Sequence, residues 1–451
     1  MAPPTSTGRR SIFSDGIDML ESSLANVNFG GVDNRTMDDL LSSTYSAIGN
    51  LEALSPDCLP TIPISIEAPE YVPASREGYP VLPQEIILHI LSFVRPDNQQ
   101  FFANACKVSR TWYHAAIGHL YARPYITTGK YEKFIAQICP TVTHTKHSPL
   151  AEFIKSLDLS HLLYDGKSSY TARLLRRTAP NLEEFIAPAT KFGYSCMVAL
   201  GNCHQLRVLD LRLVTQSLGL VDLFQTMSRL KELRNLTFPR SLMMTTGEQG
   251  RTFSGGYNLP EKLECFCLTG NVSDTFLTTV NVSENLTELR IAHAFARHGS
   301  IKNLLNRWSS QLKVLEINYH ISTLPHNAMD KILVTCLGLE KLRIAVDFVS
   351  HRLFDEENTP VNHPLKRLDL DSSGYLGAGH KLNADHIFIC LAEGRLPHLR
   401  ILRISEKLNW KGRDAQGLED LAVVLESRET GPGEIVGVWE FDTIEPGHGK
   451  F

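Results

Sequence analysis

From Ile154 onward the chain repeats one apolar-x-x-apolar-x-apolar pattern ten times. The copies are IKSLDL from Ile154, LEEFIA from Leu182, LRVLDL from Leu206, LRNLTF from Leu233 and LECFCL from Leu263, then LTELRI from Leu286, LKVLEI from Leu312, LEKLRI from Leu339, LKRLDL from Leu365 and LRILRI from Leu399. Successive copies start 23 to 34 residues apart. Alternating apolar positions at the end of each copy predict a short strand, and stripes such as LLNRW, ILVTC and FICLAEG predict a helix before most of them. One strand and one helix cannot cover their own apolar faces, whereas stacked neighbours can. Residues 151–430 are therefore expected to form an α/β solenoid with a parallel sheet inside and helices outside. GEIVGVWEF, within 431–451, supplies a last strand that caps the array ahead of a tail.

Upstream of the repeats, residues 81–122 are short and very apolar. Pro83 suits the first turn of a helix, and Leu82, Ile86, Ile90 and Val94 recur every fourth residue to make one apolar stripe. Pro96 and Asp97 stop that helix. Phe101, Phe102, Ala105 and Val108 predict a second helix, and Trp112, Ala116, Ile117 and Leu120 a third. A module of about 40 residues rarely buries enough apolar surface to stand alone, so this trio is expected to offer part of its surface to another protein. Between it and the repeats, 123–150 bridge with one helix carrying Tyr131, Phe134, Ile135 and Ile138.

Before the trio the composition changes. Residues 1–33 are rich in Ser, Gly, Pro and Asn and are expected to be disordered. Residues 34–55 predict one amphipathic helix through Met37, Leu40, Leu41, Tyr45, Ile48, Leu51 and Leu54. Residues 56–80 hold six prolines and read as a stiff, extended linker.

Charge and cysteine content narrow the function. Against 49 acidic side chains stand 45 basic ones, a net charge of −4 that lacks the basic excess of a dedicated nucleic-acid binder. Nine cysteines without a CxxC pair argue for a reducing compartment and against a disulfide or zinc framework. With no apolar run fit for a signal peptide or a membrane span, the expected location is cytoplasmic or nuclear, away from any membrane. Catalytic patterns are weak. GKSS at Gly166 lacks the first glycine of a phosphate loop, His161 standing there, and His144 and His147 have no companions at metal spacing. No cofactor, metal or catalytic residue is expected, and the chain is read as no enzyme.

The repeat spacing lies close to the leucine-rich-repeat range of about 20 to 29 residues. Leucine-rich repeats commonly place Asn three residues past the last strand position; only Asn271 fits here, so the turns must be satisfied in another way. In the upstream module, LPQEI, then Ile90 and Leu91, then CKVSRTW and a closing LY resemble the F-box. The chain as a whole is similar to the F-box/leucine-rich-repeat family. That resemblance implies that Leu82, Pro83, Ile86, Ile90, Leu91, Val108 and Trp112 dock the Skp adaptor of a cullin-RING ubiquitin ligase. The solenoid would then hold a target protein while partners transfer ubiquitin. One departure is Asn98, where the family often has an apolar residue, which predicts a looser first inter-helix turn. A scaffold or inhibitor without ubiquitin-ligase coupling is the other class this pattern fits.

In a strand every second side chain leaves the core, so the central residue of each copy should line the concave sheet. From first to last these are Asp158, Ile186, Asp210, Thr237, Cys267, Arg290, Glu316, Arg343, Asp369 and Arg403. The last five alternate in sign and are expected to neutralise one another across strands about 4.8 Å apart. The functional alternative is that Arg290, Arg343 and Arg403 grip an acidic or phosphorylated segment. Ile186, Pro188, Val208 and Pro239 suggest an apolar subsite, and Cys265 and Cys267 are expected on the same face.

Overall fold

The computed structural model describes residues 82–140, 148–162, 168–190, 192–243, 257–318, 321, 323–375, 382–428 and 436–441. The expectations for 1–33, 34–55 and 56–80, for His144 and His147, and for Gly166 lie outside these residues.

The ten repeat motifs become ten strands, joined by an eleventh. They are β1 (Ser156–Asp158), β2 (Glu184–Ile186), β3 (Val208–Asp210), β4 (Asn235–Thr237), β5 (Cys265–Gly270) and β6 (Glu288–Ala294). β7 (Val314–Ile317), β8 (Lys341–Ala345), β9 (Arg367–Asp371), β10 (Ile401–Ser405) and β11 (Gly437–Phe441) complete one parallel sheet whose strands lie side by side in chain order. Parallel neighbours need a crossover, and the described outer helices and turns lie between successive strands in the chain.

The register carries the repeat into three dimensions. Leu157, Phe185, Leu209, Leu236, Phe266 and Leu289 are aligned strand to strand, and Leu315, Leu342, Leu368, Leu402 and Val438 continue the row. The ten aligned residues before Val438 are buried. Each such side chain contributes about 1.5–3 kcal/mol by leaving water. A one-residue slip would turn the whole row outward, so the spacing of the motifs fixes the pairing.

Helices cover the far side: α5 (Ser168–Thr178), α6 (Tyr194–Leu200), α7 (Leu220–Met227), α8 (Asp274–Thr279), α9 (His298–Trp308), α10 (Ile332–Thr335), α11 (Ala384–Ala392), α12 (Trp410–Arg413) and α13 (Ala415–Glu426). Between β8 and β9 the cover is made by 3-10 turns, Val346–Phe348 and His351–Phe354, where Pro360 and Pro364 interrupt any longer helix. Three of the described turns after the strands are closed by acids instead of asparagine. Asp158 Oδ1 accepts from Ser160 N at 2.8 Å, Asp210 Oδ1 from Arg212 N at 2.9 Å and Asp347 Oδ2 from Ser373 N at 3.0 Å. Gly270, at φ +74°, is held there by contact: a Cβ would fall 2.0 Å from the Arg240 carbonyl oxygen.

The upstream module is three helices: α1 (Gln84–Ser92), α2 (Gln99–Ala105) and α3 (Arg110–Ala122). Ile87, Leu91, Phe102, Ala105, Ala115 and Ala116 form its small core. Asn98 does not loosen the first turn. Its side chain accepts from Phe101 N at 3.1 Å and caps α2, which an apolar residue there could not do. Ser109 caps α3 in the same way, accepting from Trp112 N.

α3 belongs to two cores at once. Ala115 and Ala116 face the helical trio, while Ile117 and Tyr121 enter the core of the solenoid. The following helix α4 (Thr128–Ile138) buries Tyr131, Ile135 and Ile138 in that same solenoid core, so it closes the first repeat rather than spanning a gap.

Candidate docking surfaces

Two surfaces are built by these elements. The first lies on α1 and its surroundings. Five of the nine positions of QEIILHILS are apolar and they spread round the helix, which can turn only part of its circumference into so small a core. Ile87 and Leu91 go inward; Leu82, Ile86, Leu88 and Ile90 remain exposed, and Phe93, just past the helix, keeps 77 % of its surface in solvent. Val108, 65 % exposed, stands beyond the end of α2, with Phe101 exposed on α2 itself.

Of the residues the F-box resemblance assigned to adaptor contact, the structure places Leu82, Pro83, Ile86, Ile90 and Val108 on the surface. Leu91 is corrected: it is fully buried in the trio and supports the surface from beneath. Trp112 is half-buried against the same core. The expected stripe of Leu82, Ile86, Ile90 and Val94 is thus mostly the outward one. Leu88, Phe93 and Phe101 were not singled out from the sequence, where apolar residues spread round the helix do not say which side faces in. Phe93, directly before Val94 and the helix-stopping Pro96, was the one legible sign, since the helix ends there.

The surface is fixed relative to the solenoid. Lys155 N donates to the Ala122 carbonyl at 2.9 Å, the Arg123 guanidinium meets Glu184 at 3.0 Å, and Asn181 Nδ2 donates to the Glu152 carbonyl at 2.7 Å. Gln99 Nε2 donates to the Arg123 carbonyl at 2.9 Å, tying α2 to the same corner.

The second surface is the concave face of the sheet. Asp158, Ile186, Asp210, Thr237, Cys267 and Arg290 follow one another in register, continued by Glu316, Arg343, Asp369 and Arg403 and closed by Trp439. The structure therefore brings Ile186, Asp210, Arg290, Glu316, Arg343, Asp369 and Arg403 into one row. Pro188 and Pro239 do not join it: both are buried in the turns past their strands, so the apolar subsite shrinks to Ile186 and Val208.

The charges pair, but mainly not along that row. Arg290 Nε lies 2.5 Å from Glu288 on its own strand and 3.7 Å from Glu316 across the sheet. Arg367 holds Asp369 through Nε at 2.8 Å and Nη2 at 2.7 Å, whereas Arg403 reaches that carboxylate only at 3.6 Å. Arg343 bonds Asp371 at 2.8 Å, one strand over and two positions on. Arg212 pairs with Asp210 at 2.6 Å. Expected cross-strand neutralisation gives way to pairs within strands because residues two apart share a face.

Burial pushes the Glu316 carboxyl above its ordinary value, against the pull of Arg290 and Arg343. It likewise pushes the Cys267 thiol up to about 12, and the Cys265 thiol upward still further. Cys265 and Cys267 do lie on one side of β5, as thiols rather than thiolates, which removes the nucleophile that redox chemistry needs. Phe441 on β11 lies beneath two cations, its ring centre 4.8 Å from the Arg403 guanidinium carbon and 5.3 Å from that of Arg343.

Residues 80–164 match the family model described as the COS11 F-box domain. The F-box protein YDR306C of Saccharomyces cerevisiae is 32% identical over 331 residues, covering 72% of this chain and 67% of that protein. Protein pof5 of Schizosaccharomyces pombe is 24% identical over 358 residues, covering 78% of this chain and 96% of its own. Among solved structures, the yeast Rad7 and Elc1 complex aligns over 78% of this chain and 98% of that chain with 14% identity and a TM-score of 0.31. The TLR13–ssRNA13 complex aligns over 56% and 29% with 16% identity and a TM-score of 0.29. Scores of that size leave the functional argument to the sequence relatives and to the geometry.

Proposed function

We propose, from the premise that this chain belongs to the F-box protein family, that it is a non-catalytic substrate-recognition subunit of a Skp–cullin–F-box ubiquitin ligase. In this reading the trio docks the Skp adaptor and the solenoid holds a target protein.

The observation that carries the reading is the apolar surface of Leu82, Ile86, Ile90, Phe93 and Val108 outside a core that cannot take them in. A standard interface removes about 800 Å² per partner, worth about 20 kcal/mol gross if wholly apolar at 25 cal/mol/Å². Ordering and polar desolvation cut that sharply, and a binding affinity is what remains. α3 then gives the arrangement its mechanism. Because its two faces enter both cores, the adaptor-docking surface and the concave row keep one distance and one orientation. Holding a target at a fixed place beside a charged conjugating enzyme raises the effective concentration of its lysines. Such a subunit works in the cytoplasm or the nucleus.

The test is co-purification of the full chain with the Skp adaptor. The parent is expected to retain the adaptor, and the double variant Leu82→Ala, Pro83→Ala to lose it while keeping its circular dichroism. A parent chain that ignores the adaptor leaves the scaffold or inhibitor reading in its place.

A further inference from the structure

The two ends of the solenoid are finished differently. At the N-terminal end α3 and α4 close the array, with Ile117, Tyr121, Tyr131, Ile135 and Ile138 in its core. At the other end β11 is the outermost strand, and among the described residues nothing pairs with its far edge. An uncovered edge presents unpaired N–H and C=O groups that template a further strand.

Which groups face outward follows from the pairing with β10. Gly437 N donates to the Arg400 carbonyl at 3.0 Å, and Ile401 lies opposite Gly437, Arg403 opposite Trp439 and Ser405 opposite Phe441. Backbone groups alternate between the two sides of a strand, so Gly437, Trp439 and Phe441 turn theirs toward β10 while Val438 and Glu440 turn theirs away. Trp439, in the concave row, leaves 49 % of its surface in solvent. Glu440 points to the opposite face, where Lys411 holds it at 2.5 Å.

This edge is complementary to itself. A twofold axis sets two copies of a strand antiparallel, and an antiparallel pair exchanges both hydrogen bonds at every second position. With the axis at Trp439, Val438 meets Glu440 of the second copy and Glu440 meets its Val438, so both outward N–H and both outward C=O groups of each strand are bonded. Trp439 then faces its own copy at a close position, and Gly437 faces Phe441, an aromatic cover for a strand glycine. An axis at Glu440 would set like charges directly opposite, and one at Val438 would leave Glu440 without a partner inside the strand. We propose that β11 pairs about Trp439 with β11 of a second copy of the chain, joining two arcs end to end in one continuous sheet. The pairing is short, so the dimer dissociates on dilution. A target with two recognition segments gains from holding both concave faces at once.

Sedimentation velocity of the full chain across the micromolar range tests this. With rising concentration the parent is expected to pass from one chain of 50.4 kDa toward twice that mass. Trp439→Glu and Trp439→Lys, each alone, set like charges opposite one another and should weaken self-association at least about tenfold. Their equimolar mixture should regain it, because this register is the one in which the residue faces its own copy. Glu440→Pro removes an outward N–H and none of the bonds to β10, so it should be monomeric with its circular dichroism kept. A parent that stays a single chain overturns the proposal, including the case in which a chain ending at Phe441 dimerises and residues 442–451 are the occupant of the edge instead. So does a dimer that survives Glu440→Pro, or a mixture of the two Trp439 variants that stays apart.

Discussion

Ile86 and Ile87 are consecutive residues of α1 that face opposite ways: Ile86 leaves 45 % of its surface in solvent and Ile87 1 %. A helix turns about 100° per residue, so one step along the chain separates a residue that holds the trio together from one that is free to hold something else.

Aspartate at the two positions should therefore give different failures. Ile86→Asp is expected to keep the melting profile, since exposed substitutions stay within about 0.5 kcal/mol, and to lose the adaptor in a pull-down. Ile87→Asp buries an unpaired charge at a cost of several kcal/mol and should melt the trio itself. If Ile86→Asp still retained the adaptor, α1 would not be the docking face.

The cap at Asn98 gives a second, smaller expectation. Replacing it by Ala removes the acceptor for Phe101 N and should lower stability by about 1 kcal/mol in urea titration, with Asn98→Asp restoring most of the loss. An unchanged midpoint for Asn98→Ala would mean that α2 is held by Phe102 and Ala105 alone.

Much of this architecture was legible because each repeat places its apolar residues two apart and its neighbour 23 to 34 residues on, and the register then has one solution that buries them all. Even the concave row could be named residue by residue. The helical trio was less legible: in QEIILHILS both faces are apolar, so Leu91 and Ile90 look alike in sequence though only one is outside. The pairing of charges was hidden for another reason. Arg343 has acids across the sheet on both sides, Glu316 and Asp369, yet bonds Asp371, a choice made by side-chain length and direction that spacing does not encode. GEIVGVWEF announced the closing strand, but the packing of Phe441 on Arg343 and Arg403 depends on side-chain reach that its sequence does not encode.

Arg343 and Asp371 form the most buried ion pair of the concave row, with side chains 19 % and 2 % exposed. Asp371 also accepts from Ser372 N at 2.8 Å. Arg343→Met strands that carboxylate and should cost about 3 kcal/mol, whereas pairing it with Asp371→Leu should recover most of the loss, because the remaining partner is the source of the penalty. A double variant no better than the single one would show that the two residues do not act as a pair.

His363 makes stability depend on pH. Burial holds its imidazole below the ordinary value, against the raising influence of the Cys336 and Leu333 backbone, with Nε2 donating to the Cys336 carbonyl at 3.2 Å. The unfolded chain takes a proton here below about pH 6.5, while the folded chain does not until a lower pH. Protons bound to the unfolded state alone pull the equilibrium toward it, so this group's contribution is lost as pH falls through 6.5 toward the folded value and changes no further below that. Glu316 acts with the opposite sign: its raised folded value means that the folded chain binds the extra proton, so its contribution improves as pH falls from the folded value toward the ordinary one. Urea titrations at pH 7.5, 5.5 and 4.5 separate the two. His363→Gln should show a smaller stability loss than the parent between pH 7.5 and 5.5, and Glu316→Gln a larger loss than the parent on the way down to pH 4.5; if both variants keep the parent's pH profile, neither group governs it.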